Sequence, residues 1–162
     1  MNTDSFDLFT PVTPQELDGI RNLFLAYASD LKVDLGFQDF GAELLTLPQP
    51  YMPPRGALRG LRFGEHLAGC CAMRPLDSVD YPNAAEMKRL YVAPPFRGTG
   101  LGRTLAEDIM DIARRTGYSC ILLDTLTEME MARALYEDLG FVEIPPYYHN
   151  PLEGAHYLMA RL

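Results

Sequence analysis

The stretch Glu86-Met-Lys-Arg-Leu-Tyr-Val92, Ala93-Pro-Pro-Phe96, Arg97-Gly-Thr-Gly-Leu-Gly102-Arg103 decides how the rest of the chain is read. A strand over Ala84 to Val92 runs into a glycine-rich turn, and the turn opens an amphipathic helix over Gly100 to Thr116. Leu101, Leu105, Ile109 and Ile112 lie along one face of that helix. The first amides of a helix have no partner within it and form an anion site, and glycines let a pyrophosphate come close to the backbone. Arg97 and Arg103 bracket the turn with positive charge. The pattern points to a phosphate-bearing ligand. A nucleotide P-loop is excluded, because no GxxxxGK followed by Ser or Thr occurs. A dinucleotide fingerprint fails as well, since Arg103 stands where GxGxxG needs its third glycine. A tight strand-to-helix turn without a ligand is the remaining alternative.

Phe6 to Val12 reads as a first strand, and Thr13-Pro14-Gln15-Glu16 as a helix start with a capping box. Leu17, Ile20, Phe24 and Tyr27 continue that helix, and a second short one covers Phe40 to Leu47. Pro48 to Pro54, with four prolines, reads as a surface loop bordering a site. Ala57 to Phe63 and Leu67 to Arg74 form a hairpin about Gly64-Glu65. After the glycine-turn helix, Ser119 to Asp124 is an apolar, central strand. Thr127 and Glu130 make a second capping box for a helix over Glu128 to Leu139, which stops at Gly140. Phe141 to Ile144 and Ala155 to Leu162 are final strands around the tail Pro145 to Gly154. The order β-α-α-β-β-β-α-β-α-β-β predicts an α/β fold, one mixed sheet flanked by helices, in a single domain over residues 1–162.

The chain has 162 residues, 48% hydrophobic and 22% charged, which suits a folded soluble protein. No apolar run reaches the roughly 18 residues that span a bilayer. Met1 to Asp7 holds acidic and no basic residues, unlike a secretory leader. A cytoplasmic location without membrane contact is expected. The net charge of −8 argues against nucleic-acid binding. It would attract a cationic small molecule or basic peptide, and it equally serves solubility. Cys70 and Cys71 are adjacent, Cys120 sits in an apolar run, and His66, His149 and His156 are scattered, so reduced thiols and no metal site are expected. Nothing in the sequence demands a homodimer, and that state stays open.

Arg97-x-x-Gly100-x-Gly102 after Leu90-Tyr91-Val92 resembles the acetyl-CoA-binding motif of the GNAT superfamily of N-acetyltransferases. Ala134-Leu135-Tyr136-Glu137-Asp138-Leu139-Gly140-Phe141 is similar to the second signature of that family, and the element order extends the likeness over nearly the whole chain. Pro146-Tyr-Tyr-His-Asn-Pro151 with Gly154 further resembles a small bacterial branch of single-domain members. The resemblance implies transfer of an acetyl group from acetyl-CoA to an amine acceptor. A non-catalytic acyl-CoA sensor or interaction module of the same fold is the alternative.

By that likeness, backbone amides of Arg97, Gly98, Thr99, Gly100, Leu101, Gly102 and Arg103 would hold the pyrophosphate. Leu90, Tyr91 and Val92 would lie beside the pantetheine arm, with the Leu90 N–H aimed at the thioester carbonyl. An ammonium must lose a proton before it attacks, and Glu86, four residues before Leu90, matches a strand glutamate that serves as base in some members. Alternation would put it on one strand face with Lys88, Leu90 and Val92, and a salt bridge is its alternative role. Tyr136 would protonate the departing thiolate, or else pack in the core. A phenol with a pKa of about 10 predicts a fall in rate above that pH. Met129 stands where many members carry an asparagine that contacts pantetheine. For the acceptor, the candidates by position are Phe37 to Phe40, Tyr51, Tyr147, Tyr148, His149 and Asn150, with His149 an alternative base.

Overall fold

The computed structural model describes residues 5–31, 35, 39–126 and 129–162. Thr127 of the expected second capping box, Glu128 at the start of its expected helix, Phe37 and Gln38 of the candidate acceptor stretch and residues 1–4 lie outside the described residues. Strand β1 (Phe6–Phe9) is shorter than expected. Pro11 has no N–H to give a ladder, and the N–H of Val12 is spent on Glu16 Oε1 at 3.1 Å. Glu16 also accepts from the Thr13 N–H, while Thr13 Oγ1 accepts from the Glu16 N–H, both at 3.1 Å. That reciprocal box starts helix α1 (Pro14–Leu31).

Helix α2 (Phe40–Thr46) follows, then β2 (Ala57–Phe63), β3 (His66–Leu76) and β4 (Ala84–Val92). Helix α3 (Leu101–Thr116), β5 (Cys120–Leu126), α4 (Glu130–Asp138), β6 (Val142–Ile144) and β7 (Ala155–Arg161) complete the expected order. The seven strands form one sheet in the order β1-β2-β3-β4-β5-β7-β6. Strands β4 and β5 run parallel, and the other neighbours antiparallel. Among the described residues no helix is long and apolar enough to cross a membrane.

Helix α3 packs Leu105, Ile109 and Ala113 on one sheet face, against Cys71, Met73, Ala85, Met87, Ile121 and Leu123. Helices α1 and α2 cover the other face at Leu58, Cys70, Ala72 and Tyr91. Cys70 and Cys71 thus project to opposite faces, as successive strand residues must. Both are free, and burial pushes each thiol up.

A bulge in β4 changes this alternation. Cys70 pairs with Tyr91 and Ala72 with Lys88, so Arg89 and Leu90 together oppose Cys71. Arg89 takes a left-handed φ of 61° there. The extra residue moves Leu90 and Val92 onto the α3 face with Ala85 and Met87. The expected face shared by Glu86, Lys88, Leu90 and Val92 is therefore corrected: the bulge separates the first two from the last two. Carbonyls freed at the bulge are met by thiols, Cys70 Sγ with Arg89 O at 3.4 Å and Cys71 Sγ with Lys88 O at 3.9 Å. Gly69 is required beside it, because a Cβ would lie 2.7 Å from Tyr91 O and 2.9 Å from Leu105 Cδ1.

Candidate active site

Strands β4 and β5 pair only from Ala84–Cys120 to Glu86–Leu122. Beyond that point β4 stays with β3 as far as Val92, and β5 stays with β7 as far as Leu126. The two central strands therefore diverge, and a gap opens between their C-terminal halves. Tyr27, Lys88, Leu90, Asp124, Met129 and Tyr136 are among the residues lining it. Among the described residues the β4 edge from Met87 to Val92 has no strand partner on this side. It is an open ladder able to take an extended amide-bearing ligand.

At the end of that edge, Pro94–Phe96 form a single tight turn. Gly98 and Gly100 follow with φ of 86° and 81°, values that L side chains resist. Gly100 caps α3, and the first helix-type bond runs from the Thr104 N–H to Gly100 O at 3.2 Å. The amides of Leu101, Gly102 and Arg103 are thus left pointing past the helix start. A Cβ at Gly98 or Gly100 would meet nothing within 4 Å, so the turn is open outward. An unpaired strand edge leading to open helix amides fits an elongated ligand with amides at one end and phosphates at the other.

The two arginines flanking the turn are engaged elsewhere. Arg97 donates from Nε to Val92 O at 2.8 Å and from a terminal nitrogen to Asp30 Oδ2 at 3.0 Å. Tyr91 donates to the same oxygen at 2.9 Å. The Arg97 and Tyr91 hydrogen bonds hold the Asp30 carboxyl below its usual range. Arg103 pairs with Glu107 at 3.2 Å and Asp138 at 3.0 Å. Arg97 and Arg103 flank the turn as expected, each also joined in an ion pair, and among the described residues the helix-start amides are the donors that no protein acceptor uses.

Tyr136 sits on α4, with its ring 5.5 Å from that of Phe141 across the Gly140 turn. It is buried yet lines the gap, and among the described residues its hydroxyl takes no hydrogen bond. Burial pushes its phenol well above the ordinary value. It therefore keeps its proton past the pH of about 10 at which a free phenol ionises, and the fall in rate expected above that pH is moved higher. Met129 also lines the gap, with Thr125 Oγ1 3.6 Å from its sulfur.

Glu86 is 1% exposed and heavily engaged. Oε1 accepts from Arg74 Nε at 2.8 Å, and Oε2 accepts from the Tyr147 hydroxyl at 2.7 Å. Burial alone would raise its pKa, but the charges of Lys88 and Arg74 and the bonds from Tyr147 and Arg74 outweigh it and hold the carboxyl low. One strand over, Asp124 Oδ2 accepts from the Tyr148 hydroxyl at 2.6 Å and from Asn150 Nδ2 at 3.1 Å. The tail is thereby latched to both central strands, with the rings of Tyr147, Tyr148 and Tyr157 packed 5.3 to 5.6 Å apart. His149 is exposed and lines a separate hollow of the tail.

Tyr51 departs from the surface-loop expectation. It is 1% exposed, donates to Glu43 Oε1 at 2.5 Å, and sets its ring against Phe24. Glu43 also pairs with Arg89 at 2.9 Å, tying α2 to the bulge. Sequence reasoning missed Asp124, Glu43 and Arg89. For Asp124 a signal existed, a carboxylate closing an apolar central strand at its C-terminal end, where open α/β sheets bind ligands. Glu43 gave none, because its partner lies 46 residues away.

A sheet split between two parallel central strands, with a glycine turn and helix start beside the split, gives an extended, phosphate-bearing ligand a backbone site. The chain belongs to the acetyltransferase (GNAT) family, whose family model matches residues 18–141. A Schizosaccharomyces pombe protein described as an uncharacterized N-acetyltransferase is 39% identical over 146 residues, covering 90% of this chain and 88% of the relative. An acetyltransferase structure from Streptococcus agalactiae superposes with a TM-score of 0.79 at 22% identity, covering 97% of this chain and 98% of that one. A Salmonella typhimurium structure that contains acetyl-CoA superposes with a TM-score of 0.72 at 16% identity, covering 98% and 94%. The chain is accordingly an acetyltransferase, and the reading as a non-catalytic binding module gives way to it.

Proposed function

We propose that this protein moves the acetyl group of acetyl-CoA directly to the amine of an acceptor held in the β4–β5 gap. The observation that carries this reading is the divergence of β4 from β5 after Glu86 and Leu122, which gathers Leu90, Asp124 and Tyr136 around one space. Acetyl-CoA supplies the acyl group already activated as a thioester. The open amides of Leu101, Gly102 and Arg103 would hold its phosphates, and the β4 edge at Leu90 and Val92 its amide-bearing arm. The Leu90 N–H stabilises negative charge on the carbonyl oxygen as the amine attacks.

Asp124 offers Oδ1, an oxygen without a hydrogen bond among the described residues, to the acceptor ammonium. It takes one ammonium proton, which frees the lone pair that forms the new C–N bond, and a second N–H proton passes to solvent as the tetrahedral intermediate collapses to the amide. As the C–S bond breaks, Tyr136 gives its phenolic proton to the sulfur and regains one from solvent. Glu86, with both oxygens hydrogen-bonded and its pKa held low, is better suited to anchoring Tyr147 and Arg74 than to accepting a proton. We assign it a positioning role.

The test is release of free thiol from acetyl-CoA in the presence of an acceptor panel, with acetylated amine identified by mass spectrometry. Thiol release in step with acetylated amine is expected. Thiol release without any acetylated amine would mean hydrolysis and would reject transfer.

A further inference from the structure

Lys88 lies on the face of β4 that carries Glu86, and its side chain is 6% exposed. It also lines the gap. An ammonium carries three donor hydrogens. Among the described residues its one ion pair is with Glu86 Oε1 at 3.8 Å, too long for a hydrogen bond. That oxygen is already taken at 2.8 Å by Arg74 and its neighbour at 2.7 Å by Tyr147. Arg89, the next cation along β4, is bound to Glu43 from Nε at 2.9 Å and from a terminal nitrogen at 3.2 Å. Among the described residues, the Lys88 ammonium makes no hydrogen bond. Among the described residues no fully buried side-chain nitrogen lacks a partner, so the stem of Lys88 is packed while its ammonium tip reaches the gap. Burial also pulls its pKa down, against the pull of Glu86 and Asp124. A cation held by a packed stem, its ammonium opening into the gap with no protein acceptor among the described residues, is arranged for an anion that arrives with the substrate.

We infer that Lys88 binds a carboxylate of the acceptor, so that the acceptor is a small zwitterion of the free α-amino acid class. This rests on the acetyl-transfer reading and names its substrate. Asp124, with Oδ1 open, faces the ammonium, and Lys88 on the strand opposite faces the carboxylate. One anion and one cation flank the gap, matching a molecule that carries one of each on adjacent atoms. A polyamine or peptide N-terminus has no carboxylate beside its amine. Either would cover Lys88 with uncharged bulk and leave it desolvated. The chain's charge of −8 attracts cations over long range, but the short-range chemistry of the gap selects the zwitterion.

The experiment compares free α-amino acids with their C-terminal amides on the wild-type enzyme, at saturating acetyl-CoA, with polyamines and short peptides in the same panel. The amide's amine is less basic and more often unprotonated at neutral pH, so intrinsic reactivity favours the amide. Lys88 reverses that order: kcat/KM for at least one free acid should exceed that of its amide by roughly 100-fold or more, as expected when a buried polar group is left unpaired by the wrong substrate. Lys88→Met should collapse the ratio towards one. Its acetyl-CoA affinity, measured by calorimetry, should not change, because Leu90 and Val92 lie on the other strand face. Amides, polyamines or peptides used as well as free acids would overturn the inference. So would an enzyme that binds acetyl-CoA tightly and acetylates none of the amino acids. Failure to bind acetyl-CoA at all would bring down the underlying reading, and this inference with it. If Lys88→Met does not fold, the wild-type acid-to-amide ratio decides alone.

Discussion

The two walls of the gap are built from different materials. The β4–α3 wall presents main chain: a strand edge without a partner, two glycines at positive φ, and the open amides of the first helical turn. Its charged side chains, Arg97 and Arg103, are turned aside into ion pairs. The β5 and tail wall, with the Glu86–Lys88 face of β4, presents side chains: Asp124, Tyr148, Asn150, Tyr147 and a buried ammonium. A ligand with repeating amides and phosphates can be read by backbone whatever residues surround it. An acceptor has to be read by particular side chains. Substitutions on the first wall should matter through φ and Cβ, and on the second through charge and hydrogen bonding.

The largest effect should come from the side-chain wall. Glu86→Gln removes the charge from a buried carboxylate that accepts hydrogen bonds from the partly exposed Arg74 and from Tyr147, loosens the tail, and should lower unfolding free energy by about 3 kcal/mol at neutral pH. The Glu86 carboxyl is held below its unfolded value, so its contribution is complete above about pH 4.3 and is lost as pH falls through the folded pKa. Denaturation curves of wild type and Glu86→Gln should therefore converge in acid. Curves that stay parallel down to pH 2 would show that the charge does not stabilise.

Gly100→Val should come next, on the backbone wall. Left-handed φ costs a branched residue about 1–2 kcal/mol of stability. Acetyl-CoA affinity should fall on the order of 100-fold, about 2.7 kcal/mol, since a side chain would stand where phosphates approach. Nothing in the protein itself obstructs that side chain, so a folded variant is expected and its affinity can be measured.

Tyr136→Phe should leave the ring packed on Phe141 and acetyl-CoA affinity nearly unchanged, while kcat falls roughly 100-fold. Wild-type kcat under conditions where chemistry limits the rate would remove Tyr136 as the acid. The smallest effect belongs to Arg97→Ala. Its guanidinium is half exposed and already paired with Asp30, so affinity should drop only a few-fold, within about 1 kcal/mol.

The fold and the backbone wall were legible in the sequence, because their signals are local. Alternation, the Thr13–Glu16 capping box and Gly98-x-Gly100-x-Gly102 each declare themselves within a few residues. The side-chain wall was not, because its partners are far apart in the chain: 61 residues separate Tyr147 from Glu86, and 24 separate Tyr148 from Asp124. The β4 bulge was equally invisible. Nothing in Lys88-Arg89-Leu90 announces an extra residue, yet it reverses which side chains meet α3. Tyr51 misled because four prolines mark a loop without saying which way its aromatic points.

Amide hydrogen exchange with and without acetyl-CoA tests most directly the claim that backbone reads the donor. Protection is expected at Leu90 to Val92 on the β4 edge and at Gly98 to Arg103 in the turn, and it should persist in Arg97→Ala. Protection confined to the tail at 146–150, or absent from the turn while acetyl-CoA is bound, would contradict the account.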